Sequence, residues 1–207
     1  MAEDPHELDA QDEHLDPDRE ESGEESPALD PEVEARRVAA MSFIQRLGDP
    51  ILKSRAMPVD RFDDSLRQQL SRMAGIMSDA LGVGLAAPQL GISQRLLVYR
   101  VGPDAPVIAL ANPELEWASD EAETVDEGCL SIPGITVDVE RPIYVRVRAA
   151  DEGGAERLVE ASGLEARVIQ HEMDHLDGVL ILDRTTREER KRALRELREA
   201  ERERKAA

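Results

Sequence analysis

Gln170-His171-Glu172-Met173-Asp174-His175-Leu176 decides how this chain is read. It sits inside a stretch with helical signals. Ser162 and Glu165 have the spacing of a capping box, and Asp177-Gly178 supplies a stop. The sequence predicts a helix from about Ser162 to Asp177-Gly178. Leu164, Val168, His171 and His175 follow at intervals of four, three and four, so they share one face. That face changes midway from apolar side chains to imidazoles, which is costly in a mostly buried helix unless the imidazoles have a partner.

A metal ion is the natural partner. His-Glu-x-x-His on a helix puts two imidazoles one turn apart, with the glutamate beside the open coordination position. Glu172 can then accept a proton from water and return it to a leaving group. The only other histidines are His6 and His14, in the acidic leader, where they read as solvated side chains. Cys129, in Glu127-Gly128-Cys129-Leu130-Ser131, is the chain's single cysteine and the one thiol available as a third ligand. One thiolate and two imidazoles leave a fourth place for water, a catalytic and not a structural arrangement. A buried, inert cysteine is the alternative for Cys129, and a chance histidine pair for the helix.

A third stretch, Gly82-Val83-Gly84-Leu85-Ala86-Ala87-Pro88-Gln89, follows an amphipathic segment predicted as a helix from about Asp63 to Leu81. Leu66, Leu70, Met73, Met77 and Leu81 form its apolar stripe, and Gly82 is its expected stop. Small residues in the Gly82–Gln89 stretch leave backbone groups open to an extended ligand, and Gln89 offers an amide to an anionic oxygen. The same stretch also fits a small-residue packing turn.

Beyond these pieces, strands are expected at Leu96–Val101, Val107–Ala111 and Ile143–Ala149. Val145 and Val147 alternate there with Arg146 and Arg148, and Asp151-Glu152-Gly153-Gly154 reads as a turn into a further strand near Leu158. Trp117, Tyr99 and Tyr144 read as packing residues. Thr186 to Ala207 reads as a charged terminal helix anchored by Leu194 and Leu197.

A length of 207 residues suits one domain with a tail. The net charge of -19 is concentrated at the start: residues 1–34 hold fifteen Asp or Glu and one Arg, leaving -5 for the remainder. Residues 1–38 are therefore expected to be an acidic disordered extension, and 39–207 a single catalytic domain ending in a charged helix at 186–205. Met41 opens the compact pattern and is a candidate start of translation. The mildly acidic body argues against a nucleic-acid surface, and no run approaches the roughly eighteen apolar residues of a membrane span. A lone cysteine with no secretory signal points to the cytoplasm.

Taken together, Gly82 to Gln89 with Leu90-Gly91, Glu127 to Ser131 and Gln170 to Leu176 resemble, in order, the three signatures of the peptide deformylases. The resemblance covers about residues 42–185. It implies an α+β fold, with antiparallel β-sheets packed around a central helix carrying the histidines, followed by a C-terminal helix. It implies that Cys129, His171 and His175 hold one divalent metal ion, Fe2+ in cells and Zn2+ or Ni2+ in purified protein. Glu172 would be the acid/base, while Gln89 and the Leu130 backbone N–H would form the oxyanion hole. Val83 and Gly84 would pair with peptide backbone, and Leu164, Arg167 and Val168 would lie near the methionine pocket. The substrates implied are N-formyl-methionyl peptides, met in transient association with ribosomes, and the product is formate. One position departs from some members of the family, which carry an arginine seven residues after the ligand cysteine; here it is Thr136, with Arg141 nearby as an alternative source of charge. A zincin-type metallopeptidase and a non-catalytic metal-binding protein share parts of this pattern.

Overall fold

The computed structural model describes residues 29–206. Its first element is a helix that the sequence pattern does not announce, α1 (Pro31–Met41). The Asp30 carboxylate caps it by accepting the Glu32 N–H, and proline at the first position sacrifices no hydrogen bond. Residues 31–38, the end of the segment expected to be disordered, are therefore helical. The rest of that acidic segment, His6 and His14 included, lies outside the described residues. Ala40 and Ile44 anchor the end of α1 in an apolar cluster with Leu70, Met73 and Met77.

A 3-10 turn, Pro50–Lys53, precedes α2 (Asp64–Asp79). Asp63 caps α2 through the N–H groups of Ser65 and Leu66, and Leu66, Leu70, Met73 and Met77 are buried as their spacing requires. Leu81 breaks the expected stripe. Its φ is 57° and it is 52% exposed, so the left-handed stop falls on Leu81 and not on Gly82. The Gly82 N–H closes the helix end on the Met77 carbonyl.

Seven strands follow among the described residues: β1 (Gly84–Ala86), β2 (Leu96–Tyr99), β3 (Ile108–Ala118), β4 (Ala122–Cys129), β5 (Ile132–Pro142), β6 (Tyr144–Ala150) and β7 (Glu156–Ser162). Five form an antiparallel sheet in the order β1-β2-β3-β6-β7, with β1 on the edge, while β4 and β5 pair as a separate hairpin. The alternation expected in β6 is present. Val145 and Val147 are buried, whereas Arg146 pairs with Glu160 and Arg148 with Glu114 and Glu116. The Asp151 carboxylate builds the next turn by accepting the N–H groups of Gly153 and Ala155. β3 runs well past the expected Ala111 because a bulge at Asn112 (φ 52°) carries it on, with the Asn112 amide bonded both ways to the Val59 backbone. Of the three aromatic residues expected to pack, Tyr99 is buried, while Trp117 and Tyr144 are about half exposed.

α3 (Gly163–Leu176) follows β7 directly. The capping box expected of Ser162 and Glu165 does not form: Ser162 makes no side-chain cap, and Glu165 accepts the Tyr99 hydroxyl instead. Ala166, Ile169 and Leu176 share a cluster with Leu97, Leu110, Val145 and Val147 of the large sheet. On its other side α3 meets the hairpin, where Arg167 donates to the Val139 and Glu123 carbonyls. A single turn, α4 (Ile181–Arg184), leads into the C-terminal helix α5 (Arg187–Ala206). Leu194 and Leu197 do anchor it, against Ile135, Val137 and Val139 of β5. The fold is α+β with antiparallel sheets and a C-terminal helix. No helix among the described residues is long and apolar enough to cross a membrane.

Candidate active site

β4 ends on Cys129 against the face of α3 that carries His171 and His175. Cys129 Sγ lies 3.2 Å from His175 Nε2, and the two imidazole centroids are 5.1 Å apart. The potential ligand atoms of all three residues fall within 4.8 Å of one another. Glu127 Oε2 sits 3.0 Å from His171 Nδ1. A carboxylate can only accept, so that contact puts the ring proton on Nδ1 and leaves Nε2 as the ligand atom. One sulfur and two imidazole nitrogens make a borderline-soft set suited to zinc or ferrous iron. The buried Glu172 Oε2, on the cavity wall, has no hydrogen-bond partner. An unpartnered polar atom is expensive in a packed interior, and here it fits a place built around a polar guest.

Without an ion, the Cys129 thiol and the His171 imidazole push each other toward the charged pair of thiolate and imidazolium. Burial pushes the Cys129 thiol up, but His175 and then His171 beside it pull it well below its ordinary range. Burial likewise pushes His171 down, and hydrogen bonds to Cys129 and Glu127 more than reverse this. For Glu172, burial wins: its carboxyl stays above the usual carboxylate range despite both imidazoles.

The centre opens into a cavity of about 420 Å³. Val83, Gly84, Leu164, Arg167 and Val168 all line it, as do Gln89, Cys129, Leu130, His171 and Glu172. Of the proposed ligands and catalytic and substrate-binding residues, His175 alone sits behind the wall, fully buried. Gln89, 1% exposed on the 3-10 turn Ala87–Leu90, accepts the Ala86 N–H at 2.8 Å through Oε1. Its NH2 is thereby turned toward Cys129 Sγ (3.8 Å) and Ser131 Oγ (3.4 Å). Gly84 lies so close to Glu172 that an added Cβ would come within 2.8 Å of the carboxylate carbon. Glycine there leaves Glu172 room to keep its position, and Gly82, Val83, Gly84 and Gln89 of this stretch form part of the cavity wall.

Arg141, expected from sequence as a nearby source of charge for substrate, does not reach the cavity surface. It is 4% exposed, donates to both Glu127 oxygens at 2.6 and 2.9 Å and to Asp174 at 2.9 Å, and does not line the opening. Arg167 donates to Glu127 from the other side at 2.8 Å, and Arg184 donates to Asp174. Burial raises Glu127, yet its bonds to His171 and Arg141 hold it at about 2. This buried charge network ties hairpin to helix, and sequence reasoning missed it. The available signal was two acidic residues, Glu127 and Asp174, embedded in otherwise apolar or metal-binding stretches.

The model of the polypeptide deformylase family matches residues 41–191. The peptide deformylase of Natranaerobius thermophilus is 46% identical over 145 residues, 70% of this chain and 92% of that protein. That of Acidothermus cellulolyticus is 47% identical over 162 residues, 78% and 88% of the two chains. A crystal structure of a peptide deformylase from Synechococcus elongatus superposes with a TM-score of 0.71 at 46% identity, covering 74% of this chain and 85% of that one. The thiol, the imidazoles and the buried carboxylate thus stand in a chain that belongs to the peptide deformylase family, metal-dependent hydrolases that remove the formyl group from the N-termini of new proteins.

Proposed function

We propose that Cys129, His171 and His175 hold one divalent ion, and that Glu172, Gln89 and Leu130 act on the formyl group of an N-formyl-methionyl peptide. The convergence of the sulfur and the ring nitrogens within 4.8 Å, at the end of a cavity that also exposes Glu172, carries this reading. When bound, such an ion acidifies water and polarises a carbonyl. Its donor set suits Fe2+ in cells, with Zn2+ or Ni2+ in the purified protein.

Glu172 takes the proton of the attacking water and returns it to the departing amine. The Gln89 NH2, fixed by the bond from Ala86 to Oε1, and the Leu130 N–H donate to the formyl oxygen as negative charge develops there. β1 forms the outer edge of its sheet, so the backbone around Val83 and Gly84 can pair with an extended peptide. Leu164 and Val168, one helical turn apart on α3, offer apolar surface to the methionine side chain. Arg167 serves as a strut in the pocket wall, because its guanidinium is committed to Glu127 and two carbonyls.

Residues 39–207 act as one catalytic domain, built around the helix that carries His-Glu-x-x-His, closed by the charged helix at 186–205 and with α1 packed on its front edge. The enzyme works in the cytoplasm, in transient association with ribosomes, where its substrates emerge. Anaerobic metal loading followed by formate release tests the assignment. Glu172→Ala should keep its metal and lose turnover by roughly a hundredfold or more; full activity at matched metal content would remove Glu172 from the mechanism. Cleavage of internal peptide bonds without formate release would instead favour a metallopeptidase.

A further inference from the structure

One residue of the cleft wall, Arg37, lies outside the family match. Arg37 and Met41 are four residues apart on α1, so they project from one face, and both line the cavity. The match to the family begins at residue 41, so Arg37 precedes it. The turn that carries it is well held, since Ala40 is buried and Met41 packs against the α2 cluster. Two arginines line the cavity, and they differ in commitment. Arg167 is spent on buried partners. Arg37 pairs with Glu34, one turn back, at 3.6 Å, with both side chains nearly half exposed at 45% and 47%. An exposed pair of this kind contributes little, so a ligand carboxylate can displace it. Asp126, on β4 of the hairpin, also lines the cavity; it accepts from Thr136 Oγ1 and gives that side the opposite charge.

We propose that Arg37 is a specificity-determining residue that pairs with an aspartate or glutamate carried by the substrate shortly after its formyl-methionine. The proposal rests on the assignment of this cavity to the formyl-peptide substrate. It places an acidic-residue preference at one downstream position, set by the reach of Arg37, and none beside Asp126. The preference runs against the chain's own field: a net charge of -19 by itself favours basic peptides.

The test uses the full-length, metal-loaded enzyme and formyl-Met tetrapeptides with Glu or Lys placed in turn at the second, third and fourth residues. Formate release should show kcat/KM higher for Glu than for Lys by about two- to fivefold at one of these positions, through KM, and the difference should shrink at high salt. Arg37→Ala should bring that ratio to one or below, Arg37→Glu should invert it, and Arg37→Lys should restore it. Formate release with no Glu preference at any position, or an unchanged ratio in Arg37→Ala, overturns this proposal alone. No formate from any peptide overturns the assignment of the cleft and the proposal with it.

Discussion

A single methyl group probes the tightest contact in the cleft. In Gly84→Ala the new Cβ would meet Glu172 Cδ at 2.8 Å and Cγ at 2.9 Å. The obstruction is the end of a flexible side chain and not backbone, so the carboxylate should move while the fold stays. The expected outcome is a near-normal melting temperature with kcat reduced about 10- to 100-fold, the scale of an ångström of misplacement at a reacting group. Formate release and calorimetry on one sample check it, and an unaltered kcat would mean that the position of Glu172 is not set by this contact. At this scale the sequence is most legible where residue types are scarce. One cysteine and two histidines after the leader leave few ways to build a site, and the fold does bring them together. Arg141 shows the opposite. Arginines are common, and what decides the role of this one is the pair of carboxylates, Glu127 and Asp174, that other segments pack beside it.

The elements that meet at the centre are the hairpin and α3, and Glu127 is the joint between them. Burial raises its carboxyl, and the bonds to His171 and Arg141 more than reverse that, from 4.5 to about 2. A depressed folded-state value means stability that is fully present above about 4.5 and is lost as pH falls toward about 2, up to about 3 kcal/mol in all. Metal-free Glu127→Gln should therefore lose about 3 kcal/mol at pH 7, since it leaves Arg141 and Arg167 short of a buried counter-charge. It should also show a flatter decline below pH 4.5 than the unsubstituted chain. Urea unfolding at pH 7, 4 and 3 measures both, and parallel stability curves would show that the carboxylate is not paired as described. Among elements, α2 and α3 were readable because burial on one side imposes a helical period. β4 was not: Glu127 is its only buried residue, so Ala122–Cys129 carries no alternation to detect. α1 was hidden for a related reason, because only Ala40 at its very end is buried and its composition is that of a solvated segment.

Across the whole molecule, the three candidate ligands come from two bodies of structure. Cys129 belongs to the hairpin, whose β5 packs with α5, and the histidines to the helix seated on the five-stranded sheet. A bound ion therefore adds a joint between parts of the core that also meet through the charge network. Chelation should lower the melting temperature, with about 3 kcal/mol at stake for an ion present at a hundred times its dissociation constant. Calorimetry with and without chelator reads this directly. Cys129→Ala should melt at the same temperature in both conditions, and an unsubstituted chain indifferent to chelator would detach the ion from these residues. The architecture follows from the resemblance of three short stretches, whereas strand order does not: pairing of β3 with β6 spans a separate hairpin, which no local pattern records. That order leaves β1, three residues long, at the rim of its sheet. Such a strand measures about 10 Å, so it works as a short ruler. As the proposed pairing edge for substrate, it would register only the opening residues of a nascent chain and leave the identity of everything farther along unread.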